Sequence, residues 1–154
     1  MTNEFKQGDI IWFNFPKEIS NPQFTIKGPH PALILQDHSA PNHTVILSPL
    51  SSLRNGLGEM KELKSYHLKL LKTDYPALTN DSYVKLDQIM TFSRNKIKNS
   101  KHICTLSEKD ISSSHLKLME ALQMQDTLSE ITRKQIEISV EAILEELVRE
   151  MKGS

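Results

Sequence analysis

The chain has a single cysteine, Cys104, among 154 residues. This excludes an internal disulfide and every metal site built on paired thiolates, zinc ribbons among them, and leaves a lone buried thiol as the simplest reading. No apolar run approaches the roughly 20 residues that a membrane helix needs. The start, MTNEFKQGD, has no apolar stretch between a basic segment and a small-residue cleavage site. The expectation is a cytoplasmic protein with no membrane association. Internal repeats and low-complexity segments are also missing. The histidines His38, His43, His67, His102 and His115 show no pair at metal-ligand spacing, since HSAPNH reads as a loop rather than a helix face, so neither a metal nor a cofactor is expected.

Net charge is zero, but the zero hides a split. Residues 1–104 hold 13 Lys and Arg against 9 Asp and Glu, a net +4, whereas residues 105–154 hold 6 against 10, a net −4. The positive part is compatible with a polyanion such as RNA, although an excess of this size is also common on proteins that bind none. Hydrophobic residues make up 38% and charged residues 25%, the composition of one globular domain with a real core.

The first part reads as β structure. Asp9–Phe15 (DIIWFNF) is apolar and aromatic and is stopped by Pro16, and residues 31–36 (PALILQ) open on a proline, where a strand can spare an N–H. The connection between them, KEISNPQFTIKGP, is longer than a hairpin needs and is a candidate for function. Residues 43–50, 65–71 and 82–92 continue the strand pattern, with a turn-rich break, SSLRNGLGEM, after the third. In SYVKLD, strand period 2 puts Lys85 and Asp87 on one face and turns Val84 and Leu86 to the core. In the first strand it puts Phe13 and Phe15 together and Trp12 opposite; one or two of these belong to the core, and an exposed one is placed to stack a base.

From Thr105 the texture becomes helical. Ser107 with Asp110 resembles an N-cap signal for a helix over 108–125. Thr127 with Glu130 reads as a capping box for a second helix, 129–151, whose stripe is Ile136, Val140, Ile143, Leu144, Leu147 and Met151. Short strands, one long loop and terminal helices predict a β-rich α+β fold, a small curved antiparallel barrel with helices at one end. The predicted division is a barrel over 1–106 and a helical segment over 107–154 packed on or extending it.

The segments GDIIWFNF, HPALIL, VILSPLSS and SYVKLDQIMTFSR, in this order and spacing, resemble the MazF/PemK toxins of bacterial toxin–antitoxin pairs over about residues 6–110. The resemblance implies an SH3-like barrel that forms a homodimer and cuts single-stranded RNA without a metal. It also implies a cognate antitoxin protein that blocks the RNA groove. By position, the family's Arg before Pro falls on His30, its Thr-Ser pair on Ser51 and Ser52, and its acid before Gln on Asp87 with Gln88. A basic residue two before that acid, which contributes in the PemK branch, falls on Lys85. Ser51 keeps the family's hydroxyl. His30 does not keep the permanent charge, because a histidine of ordinary pKa is only about a quarter protonated at pH 7.

These residues fit metal-free cleavage. Asp87 can take the proton of a 2′ hydroxyl, Lys85 can steady the phosphate, Ser51 and Ser52 can donate to it, and His30 can serve as phosphate cation or as general acid. Next to Asp87 and RNA, His30 would have its pKa raised. Lys17, Phe24 and Lys27 in the first long loop and Arg54 and Lys61 in the second are placed to hold RNA, with Ser52 and Gln88 completing that set. Each residue also has a plainer reading: Lys85 and Asp87 as a solvated pair, His30 as a loop residue, Ser51 and Ser52 as turn formers. Two further functions stay open on this architecture, a gyrase-directed protein of the CcdB kind and a member that binds without cutting. The second helix continues past where the family stops, as a shield for the positive groove, a dimerisation element or extra core.

Overall fold

The computed structural model describes residues 4–17, 25–36 and 43–153. Its elements run β1 (Asp9–Phe15), β2 (Gly28–Ile34), β3 (Thr44–Ser52), β4 (His67–Leu70), β5 (Ser82–Lys85), β6 (Met90–Ser93), a 3-10 turn at Arg94–Lys96, β7 (His102–Thr105), α1 (Glu108–Ala121) and α2 (Gln125–Lys152). All strand pairs are antiparallel, in the order β4-β5-β3-β2-β1-β7 with β6 also on β3. The result is a half-open SH3-like barrel, β-rich α+β as expected. Among the described residues no helix is long and apolar enough to cross a membrane.

The barrel is possible because β3 changes partners along its length. Thr44–Leu47 pairs with β6, Ala32–Ile34 of β2 face Leu47–Pro49, and Leu50–Ser52 pairs with β5. No single straight strand can follow both ends of a partner that bends this way. The strand expected over 82–92 is therefore two strands, β5 and β6, joined by a turn in which the Gln88 N–H donates to the Lys85 carbonyl at 2.8 Å. The buried Ser48 hydroxyl donates to that same carbonyl at 2.8 Å, tying the bend in β3 to the end of β5.

Both faces of the sheet are packed. Ile10, Leu33, Leu50, Val84 and Leu86 enter one cluster, and Ile11, Phe13, Phe15, Ile34 and Leu47 enter the other. The alternation expected in β1 holds: Phe13 and Phe15 are 5% and 1% exposed and meet edge to face at 5.0 Å, while Trp12 is 46% exposed. Burying one such phenylalanine is worth about 1.5–3 kcal/mol. Strand β2 begins at Gly28, three residues earlier than expected, with Gly28 at φ +78° turning the chain onto Phe15.

Strand β7 was not expected, being four residues of mixed polarity. It is held to β1 by side chains as much as by the ladder. The buried Asp9 carboxylate accepts the Lys6 N–H at 2.8 Å and the Thr105 hydroxyl at 2.6 Å, and His102 Nε2 lies 3.3 Å away. Helix α1 starts at the expected cap, with the Asp110 N–H donating to Ser107 Oγ at 3.2 Å. It lies close against the start of β1, where a Cβ on Gly8 would fall 2.5 Å from Ile111.

The chain divides into two compact units, residues 1–121 and 122–154, so α1 belongs with the barrel. In the second unit, α2 starts at Gln125 after Met124, which makes no side-chain cap bond. The expected Thr127–Glu130 box does not start the helix: α2 begins at Gln125 with Met124 as its N-cap, just after Gln123 at φ +58°, which leaves Thr127 inside the first turn. Arg133–Glu137 at 2.7 Å and Lys134–Glu130 at 2.9 Å brace it.

Candidate functional site

The cleft opens where β3 leaves β2. Trp12 donates its N–H to Lys101 rather than to β2, so its partner Pro31 lies at a position whose backbone nitrogen faces away from β1, and Pro29 shares that edge. Two prolines can sit there because β3 has already turned toward β5, and no ladder bond is lost. The gap is a cleft of about 310 Å³ lined by Trp12, Pro29, His30, Pro31, Leu50, Ser51 and Ser52, closed on the far side by the 78–82 segment.

His30 and the two serines thus share one wall, and Lys61 joins them by donating from Nζ to Ser51 Oγ at 3.1 Å. Its ammonium also stands 5.8 Å from the centre of the Tyr83 ring. Burial lowers the pKa of Lys61, with a further push from Lys85. His30 is lowered too. Burial is the largest cause, the charges of Lys61 and Lys85 add to it, and hydrogen bonds to the backbone of Leu50 and Lys27 work the other way. In the free protein His30 is therefore lowered rather than raised, chiefly by burial, and the charges that bear on it are lysines rather than Asp87.

Asp87 lies on the other flank, in the turn after β5. Its Oδ1 is 3.3 Å from Nε2 of His67, which the sheet register places opposite Lys85. Lys85 connects the two flanks: its charge bears on His30, Lys61 and His67 alike. Tyr83 lies between them, paired with Ser51 in β3 and 4.9 Å from the His67 ring. Sequence spacing gives His67 no role, since it forms no histidine pair at metal-ligand spacing. What reveals it is the β4–β5 pairing, which one strand alone does not display.

The remaining candidates are placed around this cluster. Ser52 Oγ accepts the Arg54 N–H at 3.3 Å, and the Arg54 guanidinium donates to the Gly58 carbonyl at 2.7 Å, so Arg54 also braces the 54–60 turn. Gln88 Oε1 accepts the Ile26 N–H at 2.8 Å and pins the approach to β2. Lys17 and Lys27 flank Gly28, the first with its Cε 3.2 Å from where a Gly28 Cβ would be. Phe24 lies outside the described residues. Among the described residues no group of three His, Cys, Asp or Glu side chains is arranged to hold a metal.

The fold is a half-open SH3-like barrel with a hydroxyl-lined cleft at one strand edge. The chain belongs to the family of PemK-like, MazF-like toxins of type II toxin–antitoxin systems, which matches residues 6–122. Among solved structures it is similar to MazF from Deinococcus radiodurans, at 15% identity and a TM-score of 0.57, covering 77% of this chain and 96% of that one. It is also similar to a mycobacterial endoribonuclease in complex with its cognate antitoxin, at 14% identity and a TM-score of 0.53, covering 77% and 95%. The Mycobacterium tuberculosis toxin MazF-mt6 aligns at 14% identity and a TM-score of 0.51, covering 73% and 95%. No curated protein sequence matches the chain.

Proposed function

We propose that this protein is a toxin-type endoribonuclease that cuts single-stranded RNA without a metal, acts as a homodimer and is neutralised by a cognate antitoxin. The observation that carries this reading is that His30 and Ser51 line one cleft, Lys61 donates to Ser51 there, and the charge of Lys85 bears on both His30 and Lys61, with Asp87 beyond Tyr83 and His67. Burial lowers His30 most, and the charges of Lys61 and Lys85 add to it; a phosphate beside these groups would offset that added repulsion.

In this reading Asp87 takes the 2′ hydroxyl proton as the 2′ oxygen attacks phosphorus. The P–O5′ bond breaks, and His30 gives its proton to the departing oxygen, leaving a 2′,3′-cyclic phosphate and a 5′ hydroxyl. Lys61, Lys85 and the Ser51 hydroxyl hold the charge that builds on the phosphate. Trp12, exposed at the cleft mouth, offers a stacking face to an adjoining base.

The test is cleavage of a long mixed-sequence RNA in EDTA by the wild type and by Asp87→Ala. Cyclic-phosphate ends that disappear in the variant are expected. A folded protein that cuts nothing from pH 5.5 to 8.5 would overturn the reading. One observation favours a second reading, a protein that binds through this cleft without cutting: a histidine held below its ordinary range stands where the family has an arginine. RNA bound but uncut would be its signature.

A further inference from the structure

His67 lies in a setting that packing alone does not explain. Its side chain is only 8% exposed, wedged between Tyr66 at 5.0 Å and Tyr83 at 4.9 Å, a space that a phenylalanine would fill without burying a polar ring. Both ring nitrogens are engaged. Nδ1 lies 3.2 Å from the Lys64 N–H, which can only donate, so Nδ1 is the acceptor and carries no proton. The proton of the neutral ring is then on Nε2, 3.3 Å from Asp87 Oδ1. The Lys64 carbonyl accepts the His67 N–H at 3.0 Å, closing the turn that aims the amide at the ring.

We propose that His67 is a positioning residue for Asp87: the Lys64 amide fixes its tautomer, and its Nε2–H holds one carboxylate oxygen so that the other faces the proton to be removed. The proposal rests on the ribonuclease reading and deepens it. A neutral donor suits this task better than a cation. It fixes the carboxylate while leaving it more basic than a full ion pair would, and a general base has to stay both ionised and basic. Asp87 is 37% exposed, and with Oδ1 turned to His67 its other oxygen is open to a ligand.

The charged groups around His67 agree with a neutral ring. Lys64 precedes it, Lys85 is its cross-strand partner, Asp87 follows in the turn, and α1 brings Lys117 and Glu120 to Ser65 two residues away. Burial lowers its pKa most, the Asp87 charge and hydrogen bond raise it, and Lys85 and Lys64 lower it again, leaving it below 6.5. Protonation at acid pH would break the Lys64 bond and turn the neutral contact into an ion pair.

The test compares three variants of the full chain. His67→Phe fills the space between the tyrosines without a donor. His67→Gln puts an N–H near the Nε2 position, and His67→Asn puts one short of it. The expected result is a loss of roughly 10- to 100-fold in kcat for Phe and Asn with KM little changed, recovery to within about threefold for Gln, and loss in Gln of the part of the acid limb of the pH–rate profile that the ring contributes, with the fall through Asp87 itself remaining. In the wild type, ring nitrogen NMR should show the Nε2–H tautomer. A Phe variant that cuts as fast as the wild type, or a ring protonated on Nδ1, overturns the proposal. If the wild type itself cuts no RNA, the reading beneath the proposal falls first, and that result is told apart from the others by the wild-type lane alone.

Discussion

His30 lines the cleft and His67 lies beyond Tyr83 beside Asp87; burial holds both below the ordinary histidine range, yet their neighbours differ in sign. His30 sees Lys61 and Lys85 and has no acid among the charges that bear on it. His67 sees the same Lys85 but also Asp87, which pulls its pKa back up. One histidine is poised to gain a proton when an anion arrives; the other is poised to stay neutral beside its acid. The difference teaches that a histidine's role is set by which charges the sheet register brings to it, since desolvation is shared by both.

The largest effect should come from removing the acid. Asp87→Ala should lower kcat by roughly 10²- to 10⁴-fold. It should also drive the pKa of His67 lower still, because its raising partner is lost, while His30 stays where it is. An NMR titration of the two rings reads this directly, and equal movement of both would break the distinction.

Next comes His30. If it must be protonated to act, kcat/KM, which reports the free enzyme, should fall about tenfold per pH unit above a value lower than 6.5. His30→Arg should remove that alkaline fall, and His30→Ala should lose activity throughout. Both histidines also leave a mark on stability. Each has a folded value below the unfolded 6.5, so the unfolded chain binds protons first as the pH drops. Stability is full above pH 6.5 and is lost as the pH falls through the folded values. Inorganic phosphate should reduce this loss through His30 and leave the His67 share untouched, which a melting series at pH 7.5 and 5.5 would resolve.

A smaller effect is expected at the cleft mouth. Trp12→Ala should weaken RNA binding by about 1–3 kcal/mol, the range for one stacked base, without unfolding the barrel, because Trp12 is 46% exposed. Unchanged RNA affinity in that variant would confine the base contact to other residues.

Much of the fold was legible because β1 alternates cleanly and the strand residues are β-branched or aromatic: Asp9–Phe15 falls as expected, with Phe13 and Phe15 inside and Trp12 out. The cap at Ser107 was legible from a single local bond. What a one-dimensional pattern cannot carry is partner exchange. The bend of β3 cut the expected strand 82–92 into β5 and β6, and β7 owes its place to the Asp9 cluster rather than to its own propensity. The site divides along the same line. Strand alternation accounts for the buried Val84 and the outward Lys85, but β5 ends there and Asp87 lies in the turn, and the His67–Asp87 and Lys61–Ser51 contacts depend on pairings across strands and loops. Thr127 lies in the helix its pattern predicts but does not bound it, because α2 already begins at Gln125 after Met124.

The smallest and most discriminating effect concerns what holds the two flanks in register. Lys85 acts on both histidines, and its carbonyl takes two bonds, one from Gln88 in the turn and one from the Ser48 hydroxyl in the bend of β3. Ser48→Ala removes the second but leaves that carbonyl satisfied by the first, so the loss in stability should stay near about 1 kcal/mol, well short of the cost of an orphaned buried group. Its catalytic effect should be uneven. The Lys61–Ser51 contact and the His30 wall do not depend on Ser48, whereas the turn carrying Asp87 loses an anchor. RNA affinity should therefore hold while kcat drops a few-fold, and the coupling should show as non-additivity with His67→Phe, since both changes loosen the same carboxylate. Additive losses would mean that Asp87 is steadied by its own turn alone and that the bend of β3 serves only the barrel.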